Sequence, residues 1–253
     1  MFEDLKGKRV LVTGASSGLG AHFVTLLAGQ GAEVVAAARR LDRLSALARA
    51  CEGLPGRVRP LPLDVASVAA IEAGLAEASA AMGGLDVLIN NAGVAEPERA
   101  LELSEAQWDA HLDVNLKGCF FAAQAAARIM ARQDGGGAIV NIASILGERV
   151  AISVAPYAAA KAGLIQLTKA LALEWARHKI RVNALAPGYV ITDLNRDFFE
   201  TEPGQALIKR IPMRRAADLG DLDGALLLLC ADASRFMTGS VIAVDGGHLV
   251  SGL

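Results

Sequence analysis

The sequence predicts an α/β fold: one domain over residues 1–253, built on a doubly wound, mainly parallel sheet of seven strands with helices on both faces. Three observations predict it. Strand-like and helix-like segments alternate from end to end. The strand-like segments are short, unbroken apolar runs, as expected where helices cover both faces of a sheet. No linker-like composition and no internal repeat interrupts the alternation.

The elements follow in order. Arg9–Thr13 (RVLVT) is a β-branched run and forms the first strand. Leu19, Phe23, Leu26 and Leu27 then recur at helical spacing, and Gly29 and Gly31 end that helix. Glu33–Ala38 is the second strand, Leu41–Cys51 a helix and Arg57–Leu63 the third strand. Ser67–Met82 is an Ala-rich helix capped by Ser67, and Leu85–Asn90 is the fourth strand. Ser104 caps a helix with Glu105 and Gln107 in its first turn; this helix runs, with a bend, to about Arg132. Gly135, Gly136 and Gly137 make a turn before the fifth strand, Ala138–Ala143. Ala155–His178 is a long helix with Leu164, Leu167, Leu171 and Trp175 on one stripe. Arg181–Ala186 is the sixth strand, Asp218–Ala231 a helix and Ser240–Val244 the seventh strand. Thr192–Arg215 is the least regular stretch. Open α/β sheets bind ligands beyond the strand C-termini, so a substrate lid over about 190–215 is expected there.

Composition narrows the function classes. Hydrophobic residues make up 53%, enough to bury a sizeable core. Lys plus Arg is 25 against 27 for Asp plus Glu, so no net charge draws the chain to nucleic acid or anionic membrane. Aromatics at 4% argue against a base-stacking surface. Cys51, Cys119 and Cys230 are too scattered for a disulfide framework and fit a reducing compartment. Residues Met1 to Lys8 lack an apolar signal region, and no run is long enough to span a bilayer. A cytoplasmic protein is expected.

The chemistry begins after the first strand, at Thr13-Gly14-Ala15-Ser16-Ser17-Gly18-Leu19-Gly20. Glycines let the backbone turn tightly and approach a pyrophosphate, and the helix that follows offers free N–H groups and a positive dipole end. The second strand ends in Ala38 and is followed by Arg39 and Arg40. A carboxylate at that place bonds a ribose 2′-OH, whereas an arginine binds a 2′-phosphate. NADP(H) is therefore favoured over NAD(H); the alternative leaves both arginines as solvated charges, helped by Asp42. Tyr157 and Lys161 stand at i and i+4, on one side of a helix. A free tyrosine ionises near ~10, too high for ready proton exchange at neutral pH. A neighbouring ammonium favours the phenolate, which suits an acid/base role.

The glycine spacing, Gly-x-x-x-Gly-x-Gly, resembles that of the short-chain dehydrogenase/reductase family, whose fold is of the Rossmann type. Asn90-Asn91-Ala92-Gly93, Asn115, Ser144, Tyr157-x-x-x-Lys161, Pro187-Gly188 with Thr192, and Asp245-Gly246-Gly247 repeat the resemblance in the family's order. It covers nearly the whole chain, which resembles 3-oxoacyl-carrier-protein reductases and related carbonyl reductases. It implies an NADP(H)-dependent oxidoreductase that interconverts a ketone and a secondary alcohol, with Asn115, Ser144, Tyr157 and Lys161 catalytic. Tyr157 would exchange the proton, Ser144 would hold the substrate oxygen, and Asn115 would hold a water linking Lys161 to solvent. Gly14, Ser16, Ser17, Gly18, Leu19, Gly20, Arg39 and Arg40 would bind the cofactor's phosphates. Asp64 and Val65 would bind the adenine, although as a bare feature Asp64 equally caps the helix that Ser67 begins. Asn91, Ala92 and Gly93 would line the adenine-ribose side. Tyr157 and Lys161 would border the nicotinamide ribose, and Pro187, Gly188, Val190 and Thr192 the nicotinamide end.

Ile145, Leu146, Val150, Ile152 and Val154 predict an apolar wall, hence a hydrophobic carbonyl substrate. Tyr189 lines the substrate pocket or is an ordinary loop residue. Arg210, Arg214 and Arg215 read as a solvated basic face, with an anionic substrate group as the alternative. His22, His111, His178 and His248 show no ligand spacing, so no metal is expected. Cys119 reads as a small core residue, and Trp108 and Trp175 as packing or interface anchors. The resemblance also implies a homotetramer, with residues 245–253 at a subunit contact. The competing readings are an NAD-linked alcohol dehydrogenase running toward oxidation and a nucleotide-binding regulator without chemistry.

Overall fold

The computed structural model describes residues 2–193 and 195–251; Met1, Leu194 and the last two residues of the predicted tail contact lie outside them. Within the described residues, one sheet has seven strands in the order β3-β2-β1-β4-β5-β6-β7, and every pairing is parallel. The strands are β1 Arg9–Thr13, β2 Glu33–Ala38, β3 Arg57–Pro62, β4 Val87–Asn90, β5 Gly137–Ile142, β6 Ile180–Pro187 and β7 Val241–Val244. Parallel strands need crossovers, and helices supply them: α1 Gly18–Gly29, α2 Leu41–Ala50, α3 Val68–Met82, α4 Glu105–Leu112, α5 Gly118–Met130 and α6 Ala155–Trp175. Two short helices, α7 Arg196–Glu200 and α8 Glu202–Ile208, and then α9 Asp223–Cys230 lie between β6 and β7.

The strand order turns back between β1 and β4. A crevice opens there at the strand C-termini, where ligands of such sheets bind. Apolar side chains fill both faces. Val10, Val12, Phe23, Leu27, Val140 and Leu226 pack on one, and Leu11, Leu75, Leu88, Met130, Ile139 and Leu171 on the other. The edge strand β3 departs from the unbroken apolar reading: Arg57 and Arg59 are exposed, because an edge has solvent where a central strand has a neighbour.

Three predicted helices are interrupted, each for a local reason. The Ser104 helix is capped as expected, with Ser104 and Gln107 exchanging hydrogen bonds. Its expected bend is a widened π turn, Asp113–Lys117, separating α4 from α5. Such turns mark functional positions, and Asn115 sits in this one. The 155–178 helix tightens into a 3-10 turn at Ala176–His178. The 218–231 helix starts with a 3-10 turn, Leu219–Leu222, because Asp218 and Asp221 cap each other's backbone.

Candidate active site

Two adjoining cavities lie along the crevice, of about 320 and 380 Å³. The smaller is walled by Gly14, Ser16, Ser17, Gly18, Leu19 and Gly20 on one side and by Arg39, Arg40, Asp64, Val65, Ala92 and Gly93 on the other. The larger is walled by Ser144, Tyr157, Lys161, Pro187, Gly188 and Val190, with the apolar Ile145, Leu146 and Val154. Asn91, Gly93, Leu19 and Thr192 border both, so the two form one continuous groove.

The glycines of the first turn are dictated by close approach. Gly14 has φ +67°, and a Cβ there would come within 2.7 Å of the Ala92 Cα. A Cβ on Gly20 would collide with the Gly14 carbonyl. The cradle is kept open by side-chain ties between β1 and β4. Thr13 Oγ1 accepts from the backbone N–H groups of Asn91 and Ala92 at 3.0 and 3.1 Å, and Asn91 Nδ2 donates to the Thr13 carbonyl at 3.0 Å. The backbone then enters α1, whose first residues Gly18, Leu19 and Gly20 line the groove, and a helix N-terminus there fits a dinucleotide's pyrophosphate.

The two arginines differ. Arg40 donates to Ser16 Oγ at 2.8 Å and to Ser17 Oγ at 3.1 Å, which folds it across the glycine turn. Arg39 is exposed on the same wall and makes no side-chain hydrogen bond among the described residues. Neither pairs with Asp42 among the described residues. A cation beside the groove and no carboxylate at the end of β2 fit a 2′-phosphate. The capping alternative for Asp64 is answered by Ser67, whose hydroxyl accepts from Ala70 N–H at 3.2 Å and caps α3. Asp64 instead closes a short turn with Ala66 N–H at 3.0 Å and stands in the groove wall.

In the second cavity, Lys161 is only 4% exposed, and its Nζ donates to the Ile142 carbonyl at 2.7 Å. The same ammonium lies 5.6 Å from the centre of the Tyr157 ring, one helical turn away as the sequence spacing requires. Ser144 is 8% exposed and caps the turn Ile145–Gly147, its hydroxyl accepting from Leu146 N–H at 3.1 Å. Among the described residues, the hydroxyls of Tyr157 and Ser144 donate to no protein acceptor. Both are therefore free to donate into the cavity they line.

Asn115 is fully buried, and its amide is engaged: Oδ1 accepts from Val94 N–H at 2.9 Å and Nδ2 donates to the Val94 carbonyl at 2.8 Å. It pins Val94, which borders both cavities. A Cβ on Gly93 would fall 2.9 Å from Asn115 Oδ1 and 3.8 Å from Lys161 Nζ, so both residues border that glycine.

Part of the predicted apolar wall is corrected. Ile145, Leu146 and Val154 line the cavity, but Val150 and Ile152 are 85% and 93% exposed and face away from it. Those two lie between β5 and α6, with their side chains in solvent. Tyr189 does line the cavity. Cys119 is buried and free, its thiol pushed up by burial, consistent with a core role. His248 was not singled out from the sequence, yet it is buried against Tyr189. Nothing near position 248 signals this, because the contact spans 59 residues of chain. Among the described residues there is no cluster of metal-ligating side chains and no helix long and apolar enough to cross a membrane.

Comparison with known proteins agrees with this architecture. A family model described as Enoyl-(Acyl carrier protein) reductase matches residues 14–248. The chain is 39% identical over 252 residues to the 2-dehydro-3-deoxy-D-gluconate 5-dehydrogenase of Escherichia coli (strain K12), covering 97% of each. It is 38% identical over 246 residues to a 3-oxoacyl-(acyl-carrier-protein) reductase of Thermotoga maritima, covering 97% of this chain and 99% of that one. The crystal structure of a gluconate 5-dehydrogenase from Burkholderia cenocepacia J2315, in complex with NADP and tartrate, superposes with a TM-score of 0.93 at 35% identity over 99% of both chains. With the glycine cradle, the Ser144–Tyr157–Lys161 cavity and these matches in agreement, the chain belongs to the short-chain dehydrogenase/reductase family of oxidoreductases.

Proposed function

We propose that this protein is an NADP(H)-dependent carbonyl reductase that interconverts a ketone and a secondary alcohol. The observation that carries the reading is the pair of hydroxyls, Tyr157 and Ser144, that donate to no protein acceptor among the described residues, in one cavity with the buried Lys161 ammonium beside them. When bound, the nicotinamide supplies a hydride to the carbonyl carbon, or takes one from the alcohol. The chain's own residues handle the oxygen and the proton. Ser144 Oγ donates a hydrogen bond to the carbonyl oxygen and fixes its position. Tyr157 gives its phenolic proton to that oxygen during reduction and takes the hydroxyl proton during oxidation. Lys161 keeps positive charge next to the phenolate so formed and offers N–H groups to the nicotinamide ribose. Asn115, in its π turn, holds the water that returns the proton from solvent toward Lys161.

The glycine turn and the N-terminus of α1 hold the pyrophosphate, with Asp64 and Val65 at the adenine. Arg39 and Arg40 select the 2′-phosphate, which makes NADP(H) the working cofactor. Pro187, Gly188, Val190 and Thr192 border the nicotinamide. The 190–215 segment, with α7 and α8, closes over the substrate. Ile145, Leu146 and Val154 meet the substrate's carbon chain, which favours a hydrophobic carbonyl compound. The relatives named above act on sugar acids and on oxoacyl carriers, so the assay must include both polar and apolar ketones. Four copies assemble through the helix faces of α5 and α6, where Leu116, Phe120 and Leu167 border an apolar hollow. Three buried, unpaired cysteines fit work in the cytoplasm.

The test is oxidation of NADPH and NADH, in parallel, against aryl ketones, 3-oxo esters, 3-oxoacyl thioesters and sugar ketones. Turnover with NADPH preferred is expected. A preference for NADH would overturn the role given to Arg39. Binding of cofactor without turnover of any carbonyl would overturn the enzyme reading in favour of a nucleotide-binding regulator.

A further inference from the structure

At the end of the cavity away from the glycine turn, three residues from distant parts of the chain meet. Tyr189 follows β6 and lines the cavity with Ser144 and Tyr157. Its hydroxyl makes no hydrogen bond among the described residues. His248 lies against it, ring centres 5.6 Å apart and planes tilted by 37°. The imidazole is 5% exposed, and its Nδ1 is buried with no hydrogen-bond partner among the described residues. Native interiors rarely leave such an atom unpaired, and those that do mark places where a water or ligand completes the set.

The charge around this wall is positive. Arg149 donates to the His248 carbonyl and, at 3.4 Å, to Ser251 Oγ, which fixes its guanidinium beside the tail. Arg210 also acts by charge on both Tyr189 and His248. The opposing acid is Asp245, whose carboxylate is already engaged by Gly247 N–H at 2.9 Å and Leu249 N–H at 2.5 Å. Burial, aided by the two arginines and opposed by Asp245, holds the imidazole below its ordinary range and so neutral at neutral pH. A neutral imidazole still offers one N–H, and the phenol of Tyr189 offers its O–H.

We propose that this wall selects substrates that carry a carboxylate away from the reacting carbonyl, with Tyr189 touching the carboxylate and His248 and Arg149 positioning and charging that contact. The inference rests on the reading of the cavity as a substrate site and names the substrate class it takes. A carboxylate accepts a charge-assisted bond from Tyr189 and gains from the field of both arginines; an amide of the same shape accepts only the weaker neutral bond. The apolar side chains Ile145 and Leu146 then face the carbon chain between the two groups.

The test is calorimetric titration of the full-length protein, saturated with NADP+, with 3-hydroxybutyrate and with its amide. The acid is expected to bind about tenfold more tightly than the amide, the scale of one charge-assisted hydrogen bond. Tyr189→Phe and His248→Gln should bring that ratio toward one. Arg149→Lys and Arg149→Gln both lose the tail contact, but only the lysine keeps the charge, so the ratio should survive in Arg149→Lys alone. Equal or tighter binding of the amide by the wild type, no binding of either, or an unchanged ratio in Tyr189→Phe would overturn the inference. Turnover of ethyl 3-oxobutyrate with NADPH, measured alongside, separates the two readings. Turnover without acid preference overturns the carboxylate site and keeps the reductase. Acid preference without turnover of any ketone keeps the anion site and overturns the reductase.

Discussion

The two ends of the sheet are built on opposite principles. At the N-terminal ends of the strands, charged groups are matched within the protein. Arg9 at the start of β1 grips Asp86 before β4 through Nε at 2.8 Å and Nη2 at 2.5 Å. Gln133 ties the Leu85 N–H and carbonyl and the Gly136 carbonyl together. Arg181 is shared between Ser234 Oγ and the carbonyls of Leu229 and Ala231. At the C-terminal ends, by contrast, Tyr157, Ser144 and Tyr189 line the groove with donors unspent on the protein. An unpaired polar group in a half-buried place costs stability, so a fold keeps it only where a ligand will use it. The contrast shows which end stabilises the sheet and which end works.

That contrast can be broken. The largest effect is expected from Tyr157→Phe, which should lower kcat/KM by about two to four orders of magnitude while thermal unfolding stays unchanged. Full activity in that variant on a proven substrate would remove the tyrosine from the chemistry. Next in size, Arg39→Asp should raise the KM for NADPH by about ten- to a hundredfold and leave that for NADH little changed, since a carboxylate repels a 2′-phosphate. Equal effects on both cofactors would assign Arg39 to the surface.

At the opposite end the sign reverses: stability falls and activity stays. Burial alone would raise the Asp86 carboxyl, but hydrogen bonds from the Arg9 side chain and backbone outweigh it and hold the group below the ordinary carboxylate range. Its contribution is therefore complete above the unfolded value, near ~4, and is lost as pH falls through the lower folded value. Asp86→Asn should cost about 1–3 kcal/mol in urea unfolding at pH 7, with kcat unchanged, and the difference from wild type should shrink in acid. A loss that persists at low pH would trace to packing rather than charge. The smallest effect sharpens the division within one loop. Ser67→Ala should cost about 1 kcal/mol through the lost cap of α3. Asp64→Ala should instead weaken cofactor binding with little change in stability, as checked by titration with NADP+ and by melting.

Legibility follows the range of the interactions. The alternation of elements, the glycine turn and the Tyr157–Lys161 pair were readable because each depends on residues within a turn or two of one another. The glycines at 14 and 20 could be read as a phosphate cradle from their spacing alone; the clash of a Cβ at 20 with the Gly14 carbonyl is local, whereas the approach of Gly14 to Ala92 joins two strand ends 78 positions apart. A bend was expected in the helix running to about Arg132 without a position; that it is a π turn at 113–117, tied by Asn115 to Val94, needed the fold. Val150 and Ile152 misled because apolar residues near an expected pocket need not face it. His248 was passed over because an isolated histidine carries no pattern.

The sequence by itself determined the succession of strands and helices along the chain, the turn that receives the phosphates and the helix face that carries Tyr157 and Lys161. Periodicity and glycine geometry act over a few residues, and no packing choice is needed to express them. Tertiary structure alone decided which polar groups are matched and which are left open. Arg9 meets Asp86 across 77 positions, and Arg149 meets the His248 carbonyl across 99. Whether a side chain finds a partner depends on which distant backbone closes beside it, and only the folded sheet fixes that.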